Sequence, residues 1–225
     1  MTVFLLLATP LAAITAYTFI APRFGGGTVA LSDASTRRQV LRNPIVVGAL
    51  SFIPLYAIQT LVGADVFRYS PAGLFFHSFL FDYFGWFALQ SVISFILVRR
   101  VRNRPEQDQY VIHLVVATVM LSFLSVAEVV TAAPVLTVEE LFLRPLARVA
   151  LLALVPVALT VADNARGGGW AVLALIIQPI PAAAMSMLFA WIRPGAATVV
   201  LLALVAGTAG TLWAMLWRES KSVAS

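Results

Sequence analysis

The chain has 225 residues, 61% hydrophobic and only 11% charged, with a net charge of +5 and no cysteine. An ordinary soluble domain carries about 25% charged residues. These values exclude disulfides, thiol catalysis and thiolate metal sites, and they exclude nucleic-acid binding, which needs a basic soluble face. The mean hydropathy of +0.94 comes in apolar blocks of about 20 residues, the length that crosses a bilayer core of about 30 Å. The expectation is therefore an all-α fold. It is a polytopic membrane helix bundle of about seven transmembrane helices, forming a single integral membrane domain over 1–225.

The first apolar run, 2–22, lacks the basic leader of a signal peptide and reads as a retained span. A loop over 23–43 follows, with Gly25-Gly26-Gly27 and four arginines. Span two covers 44–63. Span three, 73–98, is rich in aromatics and stops at Arg99-Arg100-Val101-Arg102-Asn103-Arg104. Spans four and five cover 110–131 and 141–162. Span six, 170–192, is interrupted by Pro179 and Pro181, and span seven covers 196–217. Proline removes a backbone donor, so Pro156, Pro179 and Pro181 mark spans five and six as the most broken. With seven spans the eleven basic residues Arg23, Arg37, Arg38, Arg42, Arg99, Arg100, Arg102, Arg104, Arg166, Arg218 and Lys221 fall on one side. Arg68, Arg144, Arg148 and Arg193 fall on the other. The excess of basic residues then places the N-terminus outside and the C-terminus in the cytoplasm of a multi-pass cell-membrane protein. The only lysine is Lys221, in the tail, so a retinal Schiff base inside the membrane has nothing to form on.

Ionisable groups inside apolar runs are expensive and are functional candidates by default. Asp82 stands in Phe79-Leu80-Phe81-Asp82-Tyr83-Phe84-Gly85-Trp86. It is either a structural tie to a neighbouring helix or a working acid. His77 is five residues earlier, about 140° away around an α-helix, so the two do not share a face. His113 opens span four and reads as a headgroup-level histidine. Glu128, near the far end of span four, is placed to pair with Arg144 or Arg148. Two histidines near opposite membrane faces give no metal site, which wants three or more clustered ligands, and no cofactor is implied. Glu140, Arg144 and Arg148 are spaced i, i+4, i+8 and form one stripe on a continuous helix, with Pro145 able to break it.

The stretch Ala133-Pro134 … Val138-Glu139-Glu140-Leu141-Phe142-Leu143-Arg144 resembles the first motif of the CPBP family, the Abi and type II CAAX prenyl protease-like membrane proteins. The resemblance covers about 132–217. It implies that Glu139 activates a water for peptide hydrolysis, with Arg144 positioning it, on a membrane peptide or lipidated substrate. It also implies a cavity shared by Glu139, Glu140, Arg144 and Arg193. Arg193 stands where the family has a histidine, and no histidine follows Glu140. The resemblance therefore implies a divergent member whose protease chemistry is altered or lost.

Three functional readings stay open. The first is this protease-like one, with Glu139, Glu140 and Arg144 as catalytic residues. The second is a membrane-bound isoprenoid cyclase, by analogy with compact seven-span enzymes of this size. In that reading Asp82 protonates an alkene of a hydrophobic or prenylated substrate and aromatic faces steady the cation. Whichever reading holds, His77, Tyr83, Trp86, Glu128, Arg148 and Arg193 are the candidate substrate-binding residues. The third is a small transporter or a transport-complex subunit built around the broken helix at Gln178-Pro179-Ile180-Pro181. Membrane lipid is the expected surrounding partner in all three.

Overall fold

Each apolar run of the sequence is helical in the computed structural model, which describes residues 2–24, 37–62, 70–100, 105–131, 138–165, 168–190 and 194–222. The side chains of Glu139 and Glu140, and the whole of Arg193, lie outside the described residues. Helix α1 (Thr2–Ile20) carries no charge and ends in a 3-10 turn, Ala21–Phe24. Its 19 residues reach about 28 Å at 1.5 Å per residue, close to the thickness of a bilayer core. Helix α2 (Asn43–Val62) is entered through a π turn, Arg38–Arg42.

Helix α3 (Pro71–Arg100) begins at Ser70. The Ser70 hydroxyl accepts the Gly73 N–H at 3.0 Å, with Pro71 at the first helical position, a start signal in which the missing proline donor costs nothing. Helix α4 (Glu106–Thr131) carries Glu106 and Asp108 in its first turn, where the helix dipole favours negative charge. Helix α5 covers Val138–Ala165. Helix α6 is built from Gly168–Val172, a π turn Leu173–Ile177 and Pro179–Ala190. Helix α7 covers Pro194–Ser222. Among the described residues, six helices are long and apolar enough to cross a membrane; α1 is the seventh apolar run. The chain is a polytopic, all-helical membrane protein.

Helices α4 and α5 form the axis. Helix α4 packs on α1, α2, α3 and α5, and α5 packs on α1, α4, α6 and α7. In the apolar window of α5, 78% of residues are buried, against 11% for α2, so α2 is peripheral. Leu151, Leu154, Val155, Val157 and Ala158 of α5 fill the core. Leu11, Ile14, Leu50, Ile53, Val199 and Leu202 face outward on α1, α2 and α7. So much apolar surface is tolerable against lipid and not against water. A Cβ at Gly48 would come within 3.3 Å of Val119, so the glycine lets α2 lie close to α4.

The prolines do not act alike. Helix α5, expected to be among the most broken spans, runs unbroken through Pro145 and Pro156. It is the most deeply packed helix of the bundle, and the neighbouring helices support its unbroken course; the Thr160 hydroxyl also donates to the Pro156 carbonyl at 2.8 Å. Helix α6 does break as expected. The Gln178 N–H reaches back to the Leu173 carbonyl at 3.0 Å, and helix restarts at Pro179. The ends of α1 and α3 and the start of α2 carry Arg23, Arg37, Arg38, Arg42, Arg99 and Arg100, all exposed.

Candidate functional site

One irregularity in α3 carries several of the buried polar residues of the bundle. From Ser78 to Phe84 the helix adopts π geometry, with bonds five rather than four residues apart. The Gly85 N–H donates to the Leu80 carbonyl, closing the stretch. A Cβ at Gly85 would lie 2.4 Å from the Leu80 oxygen, so only glycine fits this exit without moving the turn. The stretch packs against α6 and buries Ser78, Asp82 and Tyr83.

On the other side of the site, Arg148 of α5 holds Glu128 of α4 through both guanidinium arms. Nη1 lies 2.5 Å from Oε2 and Nη2 lies 2.8 Å from Oε1. The two side chains are 3% and 16% exposed. A bidentate fork gives the geometric match that an ion pair in a dry setting needs to offset its desolvation. Arg148 also lies in the field of Tyr83 and Asp82, and Tyr83 in turn feels Arg148, Asp82 and Arg144. The Tyr83 hydroxyl faces Ser186 of α6 but closes no hydrogen bond of good geometry. Four elements thus bring together Asp82, Tyr83, Glu128, Arg144, Arg148 and Ser186.

Three buried donors on this part of α3 have no hydrogen-bond partner: Ser78 Oγ, Tyr83 Oη and Trp86 Nε1. Each such group costs about 1–3 kcal/mol, so three within nine residues is a concentration of unsatisfied polarity around Asp82. The surroundings are aromatic. Phe79 stacks on Phe75 and on Phe84 with ring centroids 6.3 and 5.4 Å apart, and Trp86 stacks on Phe52 of α2 at 5.6 Å.

Of the residues singled out in the sequence, Asp82, Tyr83, Glu128, Arg144 and Arg148 converge, and Trp86 follows one turn on. His77 does not join them. It is half-buried and packs its ring on Phe81 at 5.2 Å. Pro145 does not separate Arg144 from Arg148, which lie one turn apart on α5. Glu139 and Glu140 fall in the first turn of that helix, but their side chains, like Arg193, lie outside the described residues.

His113 is fully buried among the helices, with Nδ1 2.6 Å from Ser94 Oγ on α3. Gln90 Nε2 donates to the His113 carbonyl at 3.3 Å. The signal was present as Gln90, Ser91 and Ser94, a polar stripe at helical spacing opposite the start of span four. Among the described residues no group of three His, Asp or Glu side chains stands within metal reach. Comparison of the chain with protein-family models, with curated proteins and with solved structures returns no match.

Proposed function

We propose that this protein is a membrane-embedded isoprenoid cyclase that uses Asp82 as its proton donor. The observation that carries the reading is the placement of Asp82. It is a buried carboxyl on a π-helical stretch of a helix that also carries stacked aromatic rings and three buried donors without partners. π turns within helices occur frequently at functional sites. A hydrophobic polyene enters such a site from lipid. The O–H bond of the Asp82 carboxylic acid breaks as a C–H bond forms at one alkene carbon. The cation left on the neighbouring carbon is attacked by a second double bond of the same chain, closing a ring. Aromatic faces stabilise the travelling positive charge. Loss of a proton from an adjacent carbon to the Asp82 carboxylate restores the acid and forms a new alkene. The sequence is a net isomerisation and consumes no second substrate. Arg144 and Arg148 lie within electrostatic reach of the site and oppose the charge of the carboxylate while it lacks its proton. Purified protein in lipid nanodiscs should convert an acyclic polyene isoprenoid to a product of equal mass, with one deuterium incorporated in D2O. Asp82→Asn should abolish turnover while expression stays near wild type. Conversion that survives Asp82→Asn overturns the assignment.

A second reading has one observation in its favour. Helix α5 is continuous from Val138, so Glu139, Glu140 and Arg144, the residues that carry the likeness to CPBP-type intramembrane proteases, ride on one helix. Cleavage of a membrane peptide that is lost in Glu139→Gln and kept in Asp82→Asn would select it. In either reading the arginine-rich end of the bundle is placed in the cytoplasm and the Glu128–Arg148 pair in the outer half of a cell membrane.

A further inference from the structure

A cleft of ≈ 470 Å³ opens between the start of α2 and the end of α3, at the arginine-rich end of the bundle and away from the Asp82 site. Arg42, Arg100, Gln39 and Asn43 supply its polar lining. One turn deeper along each helix, Val46, Val47 and Leu97 line it with apolar surface. Its volume falls within the range of about 300–1,000 Å³ common for small-molecule sites. Among the described residues no carboxylate pairs with Arg42 or Arg100, and both are exposed. Arg99 differs: its guanidinium lies over the Phe95 ring, 4.4 Å from the centroid, and it is not part of the cleft.

We propose that this cleft binds the headgroup phosphate of an anionic phospholipid, with the acyl chains laid along Val46, Val47 and Leu97. Two guanidiniums offer forked donors that match phosphate oxygens. The polar lining stands at the helix ends, at headgroup depth, and the apolar lining points toward the hydrocarbon. A soluble anion would use the first feature and gain nothing from the second. Basic pockets between membrane helices on the cytoplasmic side bind anionic headgroups in this way.

The test uses the full chain, purified and delipidated in neutral detergent. Phosphatidylglycerol, phosphatidylcholine and inorganic phosphate are titrated separately, and binding is read by native mass spectrometry and by thermal midpoint. Wild-type protein and Arg99→Gln should retain phosphatidylglycerol in preference to phosphatidylcholine. Each of Arg42→Gln and Arg100→Gln should weaken that binding about fivefold, at roughly one surface charge's worth of attraction per arginine. The double variant should lose the preference, and the Arg42→Lys/Arg100→Lys protein should keep most of it, which separates loss of charge from loss of fold. Equal stabilisation by inorganic phosphate shows a free-anion site and overturns the lipid assignment. Equal loss in Arg99→Gln shows diffuse surface charge and overturns the cleft.

Discussion

Neutralising Glu128 should damage the bundle more than removing Arg148, and removing both should damage it least. The Arg148 side chain is 3% exposed and that of Glu128 is 16% exposed. In Glu128→Gln the guanidinium keeps its charge in a dry position with its fork partner gone. Breaking a buried pair from one side costs about 3–5 kcal/mol. In Arg148→Met the stranded carboxylate has some access to the edge of the bundle, and about 1–3 kcal/mol is expected. For a chain of this size each kcal/mol shifts the midpoint by about 2–4 °C. Glu128→Gln should therefore lower the midpoint by about 6–20 °C, read by intrinsic tryptophan fluorescence in nanodiscs. The double variant Glu128→Gln/Arg148→Met should recover most of this, because an apolar or neutral replacement of a whole buried pair is nearly neutral. A Glu128→Gln protein melting within about 2 °C of wild type, or a double variant melting below both singles, refutes the reasoning.

Three further outcomes are expected. Gly85→Ala should expel the π turn, since its Cβ would meet the Leu80 oxygen at 2.4 Å; restoring α geometry turns Asp82 by about 100° relative to the rest of α3, and turnover should vanish with a stability loss of about 1–3 kcal/mol. Tyr83→Phe should leave stability unchanged or raise it by up to about 3 kcal/mol, because it deletes a buried hydroxyl without a hydrogen bond; a clear loss in thermal midpoint would show that the hydroxyl has a partner after all. Reporter fusions after Arg104 and after Asp65 should report opposite sides of the membrane, and a same-side result would overturn the topology.

The helices were legible because a bilayer imposes a length and a composition that few other contexts share. The runs 44–63, 73–98 and 196–217 each became a helix close to the expected bounds. The pairing of Glu128 with an arginine of span five was also legible, since a lone carboxylate near the end of an apolar run needs a cation and only Arg144 and Arg148 were near in sequence. Which of the two it chose depends on helix rotation, and that is set by packing around α5. The π turn left a fainter trace. Ser78 to Phe84 has ordinary helix formers, and only Gly85 hints at the close carbonyl. His77 and Asp82 lie about 140° apart only in α geometry, which that part of α3 does not keep. Pro145 and Pro156 misled for a related reason: a proline disrupts a helix only if nothing else holds it, and α5 is held by its neighbouring helices.

The three unpartnered donors on α3 near Asp82 add nothing to stability. Ser78, Tyr83 and Trp86 together leave unsatisfied polarity of about 3–9 kcal/mol, against a net folding free energy of only about 5–15 kcal/mol in typical proteins. Apolar residues of the same shape at these positions would pack as well and would remove that burden. The Glu128–Arg148 fork differs, because two guanidinium donors meet both carboxylate oxygens, leaving only Arg148 Nε without a partner, and it joins the two central helices. Near Asp82, then, a forked ion pair stands beside donors that have no hydrogen-bond partner. A charged frame beside a carboxyl and unpartnered donors is the arrangement expected where a molecule from the lipid phase completes the bonding. It is harder to account for in a bundle whose interior serves only to hold its helices together.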